Sequence, residues 1–582
     1  MKAESGRLKS ESSPRRSFSL QPTALSLLAL PLAVYFFLAL PNLSLPGLHN
    51  DEAVEAGLPA TQILNGQPIT AFREAGFTIG DRTFPLMVQD YIGAFNVYLS
   101  LPFLAGLGSS VVGLRLYTVC IGAITLALTY GFMASTVNRR AGFIAAILLA
   151  ASPSFIFWQR QGVFVASLTA TFTVAALWVG WKWTQDRTPK WAALFGLCCG
   201  AGLYAKLNFI WIIGGIGGAV IILNFGWLRK LFTQPQSEIQ SLKSKIPDAL
   251  TLVIAFLIAL TPLFIYNLQT GGTFLSVGTN LTTSYYGVNN LDFFTNFQAR
   301  LDHFRAVIAG RDHLWYLGGS FGNGMWESTL TLSALVIVAR WLLRRQRARL
   351  PLAILLVLAL GLMQSSFTVS GLFPTHLALF TPLWPMLVAL AAELILDPFA
   401  EPLFIHLTGP NLSGLLGGLV GGWFGFLNVG MIVVWFGLAS LFGGDVAVTL
   451  QYHGVLEKSG GLGPHSDAVY RLVDFLKTEQ APYVAAMDWG FAPQVRMLTG
   501  DAIQPAEVFG YTWEPDGGFA DRLNAALDTP GAIFVFHFPQ ETIFPRRELF
   551  DAAVQARGWQ LQQLTIISRR DGAPIFEVLR VK

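Results

Sequence analysis

A chain of 582 residues that is 53% hydrophobic and only 13% charged does not read as a soluble globule; the balance is that of a polytopic membrane protein. The formal net charge of +4 carries no footprint of nucleic-acid binding. Cys120, Cys198 and Cys199 all lie inside apolar runs, which argues against a disulfide framework or a zinc site.

In chain order, Lys2, Arg7, Lys9, Arg15 and Arg16 precede an apolar run from 24 to 40. The run is long and many more follow, and Pro41 sits where cleavage would be awkward. It is therefore read as a retained first membrane helix behind a cytoplasmic basic tail (1–20) rather than as a signal peptide. The charged stretch "LHNDEAVEA" (48–56) then lies outside. Residues 52–64 and 88–106, the second interrupted by Asp90 and Asn96, are amphipathic enough to lie along the outer membrane surface as helices. Further spans are expected at 112–135, 141–156, 163–183, 191–204, 208–227, 248–267, 329–343, 351–367, 375–396 and 414–442, about eleven with the first. Lys and Arg cluster in alternate loops, most densely in "RWLLRRQRAR" (340–349), as the positive-inside rule requires. The glycines of "GLLGGLVGGWFGF" (414–426) recur at the spacing of close helix packing.

The expected division is a transmembrane part over 21–443, with outer surface helices at about 50–106, and a soluble extracytoplasmic α/β domain over 444–582. In that last segment "DAVYRLVDFLKTEQ" and "RRELFDAAVQARG" read as amphipathic helices and "YVAAMD" and "AIFVFHF" as buried strands. "LQQLTIIS" and "PIFEVLRV" read as a closing hairpin. No Gly-rich nucleotide loop lies between them.

Four places carry chemistry-bearing side chains at the outer boundary. Asn50 or Asp51 can cap the helix that follows, with Glu52 and Glu55 favoured by its dipole. Equally, a carboxylate there can serve as general base toward a hydroxyl or hold a metal. Adjacent helical residues point about 100° apart, so one of Asp51 and Glu52 faces a reactive centre and the other supports it. Arg160 and Gln161 sit in "SPSFIFWQRQGVF", where the cation either snorkels to headgroups or binds a phosphate. Lys206 stands alone in "GLYAKLNFIW", with the same two readings. His376 opens a later span and is either a hydrogen-bonded structural residue or a substrate contact.

These motifs together resemble the GT-C superfamily of polytopic glycosyltransferases, especially the protein O-mannosyltransferase and aminoarabinose-transferase-like group of glycosyltransferase family 39. "NDEA" follows the first span. "FPLMVQDYIGAFNVYLSLPF" supplies the surface segment and "GLRLYTVCIGA" opens a span. "LLAASPSFIFWQRQGVFVASL" is similar to the family's Ser-Pro turn, and "GLYAKLNFIW" to its Lys-bearing turn.

The resemblance implies a mostly α, GT-C-like bundle in a membrane, that of a bacterial plasma membrane, with its N-terminus cytoplasmic. It implies transfer of a sugar from a polyprenyl-phosphate donor to a lipid, glycan or protein acceptor outside the membrane. Asp51 would be the catalytic base, Glu52 its support or an acceptor contact, and Arg160 and Lys206 the ligands of the donor phosphate. Asp90, Gln161 and His376 are further candidates for substrate contact. The resemblance implies no nucleotide site and no certain cofactor, and a divalent metal beside the carboxylates is left open. The chain departs from the family in lacking an acidic residue after the Ser-Pro turn ("QRQGVFVAS"). The competing readings are a transporter, a glycan polymerase or ligase, and an inactive GT-C scaffold. Charges gathered at one boundary and the absence of a repeated half weigh against a transporter.

Overall fold

The computed structural model describes residues 22–226, 246–343, 348–396 and 416–582. The basic tail 1–20, the loop cations Arg229, Lys230, Lys243, Lys245, Arg344, Arg345 and Arg347, the loop 397–412 and the side chains of the glycine stripe 414–426 lie outside the described residues.

The chain is mostly helical, with a small sheet near its C-terminal end. Among the described residues, the helices Val111–Thr136, Met325–Leu343 and Met431–Ser459 are each long and apolar enough to cross a membrane. Three bent pairs qualify as well if each is one span: Arg139–Ala151 with Pro153–Arg160 (63°), Ile246–Ala259 with Thr261–Thr270 (54°), and Pro374–Phe380 with Leu383–Leu396 (44°). Pro153, Pro262 and Pro382 stand at the three breaks, where a missing N–H and a bulky ring interrupt the helical ladder. At the centre of the bundle, Ala145, Ala146, Ala150 and Ala151 are completely buried. Small side chains there let the helices Pro22–Ala39, Val111–Thr136 and Leu383–Leu396 pack closely on Arg139–Ala151.

Three stretches differ from the sequence expectation. Residues 88–94 are not helical. Gly76–Ile79 (β1) pairs with Arg82–Pro85 (β2), and Met87–Gln89 (β3) with Ile92–Gly93 (β4), both antiparallel; the helix Phe95–Leu107 follows. Gly93 packs so tightly on Tyr204 that a Cβ would collide with it, and the Tyr204 hydroxyl donates to Leu86 O at 2.6 Å. Such tertiary anchoring overrides the local amphipathic pattern. Between the spans expected at 248–267 and 329–343 the chain is not a plain loop but contains the helices Gly272–Thr279 and Phe293–Ala309. The final long helix runs to Ser459, through the expected boundary at 443/444.

The C-terminal unit is a three-layer sandwich. Val484–Ala486 (β5), Ala506–Glu507 (β6), Ile533–His537 (β7), Leu561–Ser568 (β8) and Pro574–Val581 (β9) form one sheet in the order β6-β5-β7-β9-β8. β5 is parallel to β6 and β7, and β9 is antiparallel to β7 and β8. Alternation along β7 builds both cores. Ile533 and Val535 face the helices Ala468–Glu479 and Ala492–Leu498, while Phe534 and Phe536 face Phe519–Leu527 and Arg547–Ala556.

The sandwich is docked on the segment that follows the first helix. A Cβ at Gly47 would run into the Ser466 carbonyl, and one at Gly57 into Met497. Tyr470 donates to Ser44 O at 2.7 Å, and Gln62 Nε2 to Asp501 Oδ2 at 2.8 Å.

Candidate functional site

The site starts with the helix that opens at Asn50. Its cap is His49, one residue before the expected cap. Nδ1 of His49 accepts the Asp51 N–H at 3.1 Å, and the His49 N–H donates to Glu52 Oε2 at 3.1 Å, which completes a capping box. The helix passes through a π-turn at Ala53–Gly57 before Leu58–Leu64. The cap fixes the direction of the two adjacent acids, and they part company. Asp51 lines a cavity of about 610 Å³, with its side chain 32% exposed. Glu52 turns into the protein, with its side chain 1% exposed.

Glu52 meets Arg115 in a two-pronged ion pair, Nε to Oε1 and Nη2 to Oε2 both at 2.8 Å. Arg115 is equally buried and also donates to the carbonyls of Leu43, Pro46 and Gly47. Burial acts to raise the Glu52 carboxyl; the Arg115 charge and hydrogen bonds from Arg115, Gln161 and His49 outweigh it and hold the carboxyl below the usual range. Glu52 therefore positions the first turn of the helix and does not reach the cavity.

Glu55, one turn beyond Asp51, does line it. Gln89 donates to its Oε1 at 2.6 Å, and its Oε2 is buried without a partner among the described residues. Burial raises this carboxyl well above the usual range, Asp51 raises it further and Lys206 opposes. The folded state thus binds this proton more tightly than the unfolded chain, whose carboxyl titrates near ~4.3. Stability from Glu55 is present below that value and is lost as pH rises through the raised folded value. Glu55→Gln removes the titration, so its unfolding temperature should decline less than that of the wild type between about pH 5 and about pH 8. Equal slopes for the two proteins would rule out this protonation of Glu55.

Lys206 faces the same cavity from the break between Pro189–Ala205 and Leu207–Phe209. It is 7% exposed. Burial lowers its ammonium, and Glu55 and then Asp51 counteract that. The break is held by Leu207 N–H donating to Tyr91 O at 2.9 Å. Tyr91 in turn sits in a turn fixed through Asp90, which takes both prongs of Arg73 (2.8 and 2.7 Å) and the Tyr266 hydroxyl (2.7 Å). Asp90 is thus a structural hub behind the cavity rather than part of its lining.

His376 lines the cavity next to Arg300, whose Nη2 lies 3.4 Å from its Nδ1. Gln161 is buried behind Glu52, with Nε2 at 3.1 Å from its Oε2 and 3.3 Å from His465 Nδ1. Arg160 corrects the sequence expectation most sharply. It is completely buried and donates to the carbonyls of Pro41, Asn42 and Leu45 at 2.7, 2.6 and 2.9 Å. It clamps the loop after the first helix and contributes nothing to the cavity wall.

Sequence reasoning passed over Glu55 as a site residue, Tyr91, Trp315 and Tyr316, and also His313 and His465; the Tyr-rich stretch "NLTTSYYGVNNLDFF" reads either as a sugar-stacking loop or as an ordinary surface loop. Tyr91, Tyr285, Tyr286, Trp315 and Tyr316 line the cavity, as do His313 and His465. The Tyr91 and Tyr285 hydroxyls meet at 2.8 Å. Burial pushes His313 down to about 4 and His465 well below the ordinary histidine range, so both rings face the cavity neutral. Asp51 and Glu55, four apart, share a helix face, a signal the sequence did carry. His313 and His465 come from distant segments and leave no local pattern. Among the described residues, no three His, Cys, Asp or Glu side chains form a metal-holding group.

The arrangement offers two carboxyl groups and one ammonium in the wall of one aromatic-lined cavity. It can take a hydroxyl compound at the acids and an anion at Lys206. Residues 98–266, which include Arg115, Arg160 and Lys206, match the family model described as dolichyl-phosphate-mannose-protein mannosyltransferase. No curated protein matches the chain. In fold it is similar to ArnT from Cupriavidus metallidurans in the apo state, with a TM-score of 0.58 at 13% identity over 96% of this chain and 97% of that one. ArnT bound to undecaprenyl phosphate gives 0.57 at 13% identity, over 96% and 98%. The Archaeoglobus fulgidus oligosaccharyltransferase complex with zinc and sulfate gives 0.50 at 14% identity, over 88% and 68%. The chain is thus similar to the GT-C glycosyltransferases both in sequence, over 98–266, and in fold, over nearly its whole length.

Proposed function

We propose that this chain is a membrane glycosyltransferase that moves a sugar from a polyprenyl-phosphate donor to a hydroxyl of a lipid, glycan or protein acceptor. In this reading it crosses a bacterial plasma membrane about eleven times, with its N-terminus cytoplasmic. The transmembrane part covers 21–443, and the extracytoplasmic part from 444 opens with the last turns of the same helix. The observation that carries the reading is that Asp51 and Lys206, far apart in sequence, face one cavity large enough for a sugar phosphate.

The chemistry follows from the two side chains. The acceptor hydroxyl gives its proton to the Asp51 carboxylate as its oxygen bonds to the anomeric carbon. The bond from that carbon to the phosphate oxygen breaks, and the departing polyprenyl phosphate gains negative charge. Lys206, nearly buried and free of any ion pair among the described residues, meets that charge where little water competes. The tyrosine and tryptophan faces hold the sugar ring.

Reconstituted in vesicles with a radiolabelled polyprenyl-phosphate sugar, the protein should transfer label to the native acceptor lipids or glycans. Lys206→Ala should raise the KM for donor by about tenfold or more, the scale of losing one charge-assisted phosphate contact. An unchanged donor KM would remove Lys206 from the phosphate site.

A further inference from the structure

The C-terminal sandwich contains a second cavity, of about 630 Å³. It opens at the carboxyl ends of the parallel strands β5 and β7, the place where open α/β sheets receive ligands. Asp488, just past β5, and His537, at the end of β7, meet there with Oδ2 and Nδ1 3.0 Å apart. The Asp488 carboxylate also accepts the backbone N–H groups of Trp489, Ile543 and Phe544 at 2.8, 3.0 and 2.8 Å. With an acceptor opposite it, Nδ1 donates, which fixes the orientation of the ring in the cavity lining. Asp488 is 1% exposed and the His537 side chain 8%, so the pair is built in rather than a chance surface contact.

The rim is equally organised. Arg546, 1% exposed, donates to the carbonyls of Phe509, Thr512 and Trp513 at 2.9, 2.6 and 3.0 Å. That clamp holds the 509–513 loop so that the Trp513 ring, 69% exposed, stands at the cavity edge against Phe544. The cations of the lining are spent: Arg546 on these carbonyls, Arg547 on Asp551 and Glu577.

We infer that this cleft is a saccharide-binding site. An exposed indole stacks on the apolar face of a sugar ring, and an oriented imidazole hydrogen-bonds its hydroxyls. An anionic ligand is disfavoured because the Arg546 donors are taken by carbonyls, Arg547 is paired with Asp551 and Glu577, and Asp488, Glu514, Glu548 and Glu577 put carboxylates in the lining. The site is separate from the Asp51 cavity but close to it: the Trp489 ring lies 6.3 Å from His49, the cap of the helix that carries Asp51.

The test is saturation-transfer NMR on the full chain in phospholipid nanodiscs, which avoids sugar-headed detergents. The probes are glucose, galactose, mannose, N-acetylglucosamine and glucosamine. At least one should show transfer to its ring protons. Trp513→Ala should weaken that ligand by about tenfold or more, and His537→Phe should weaken it as well. Trp513→Ala leaves the core untouched, so its unfolding temperature should match the wild type. Silence from every sugar, a signal unchanged in Trp513→Ala, or displacement by excess inorganic phosphate would each overturn the assignment. None of these readings depends on whether Asp51 catalyses transfer.

Discussion

Asp51→Asn should lower kcat for sugar transfer by about two to four orders of magnitude, the usual contribution of a positioned general base. The substitution keeps the shape of the side chain and removes its ability to take a proton. The fold should not notice it. The helix is capped by His49 and not by Asp51, and the Asp51 side chain is 32% exposed, with His49 Nδ1 3.8 Å from its Oδ2. The donor KM should stay near the wild-type value, because Lys206 is intact. Turnover within tenfold of wild type, measured with labelled lipid-linked donor, would remove Asp51 as the base.

Arg115→Ala should be the most damaging single change to folding. It strands the Glu52 carboxylate at 1% exposure and frees the three carbonyls that Arg115 holds. Breaking one side of a buried pair costs roughly 3–5 kcal/mol, a large part of a typical stability. Pairing Arg115→Met with Glu52→Leu takes out both charges together and should recover much of that loss. Thermal unfolding in vesicles distinguishes the cases. A single variant as stable as wild type, or a double variant worse than the single, would contradict the account.

The parts legible in the sequence were those written in side-chain type and period. Apolar runs gave the bundle, and alternation such as "AIFVFHF" gave the strands of the sandwich. The isolated charges Asp51 and Lys206 and the lone His376 marked a cavity that the fold assembles from segments far apart. Arg160 was illegible for a specific reason. A buried cation asks for acceptors, and from sequence the natural candidate is an anion. The acceptors here are backbone carbonyls at 41–45, which every residue possesses and no sequence pattern announces. Arg115 was passed over because a single Arg at the head of an apolar helix looks like a snorkelling side chain; only the fold brings Glu52 to it. The hairpin of β1 and β2 did have a local signal, Gly80-Asp81 between residues of high strand propensity. The hairpin of β3 and β4 had none, since Tyr204 and Leu207 from a distant segment hold it.

One contact bears on how the protein is made. His465 stacks on His49 with ring centroids 4.3 Å apart and forms part of the wall of the cavity that Asp51 lines, while Gly47 N–H bonds to Gly460 O. Synthesis delivers His49 and Gly47 long before their partners. A nascent chain holds Asp51 early but stays without this wall until residues 460–467 have emerged and the last helix has been threaded. Products terminated before that point therefore lack a complete cavity.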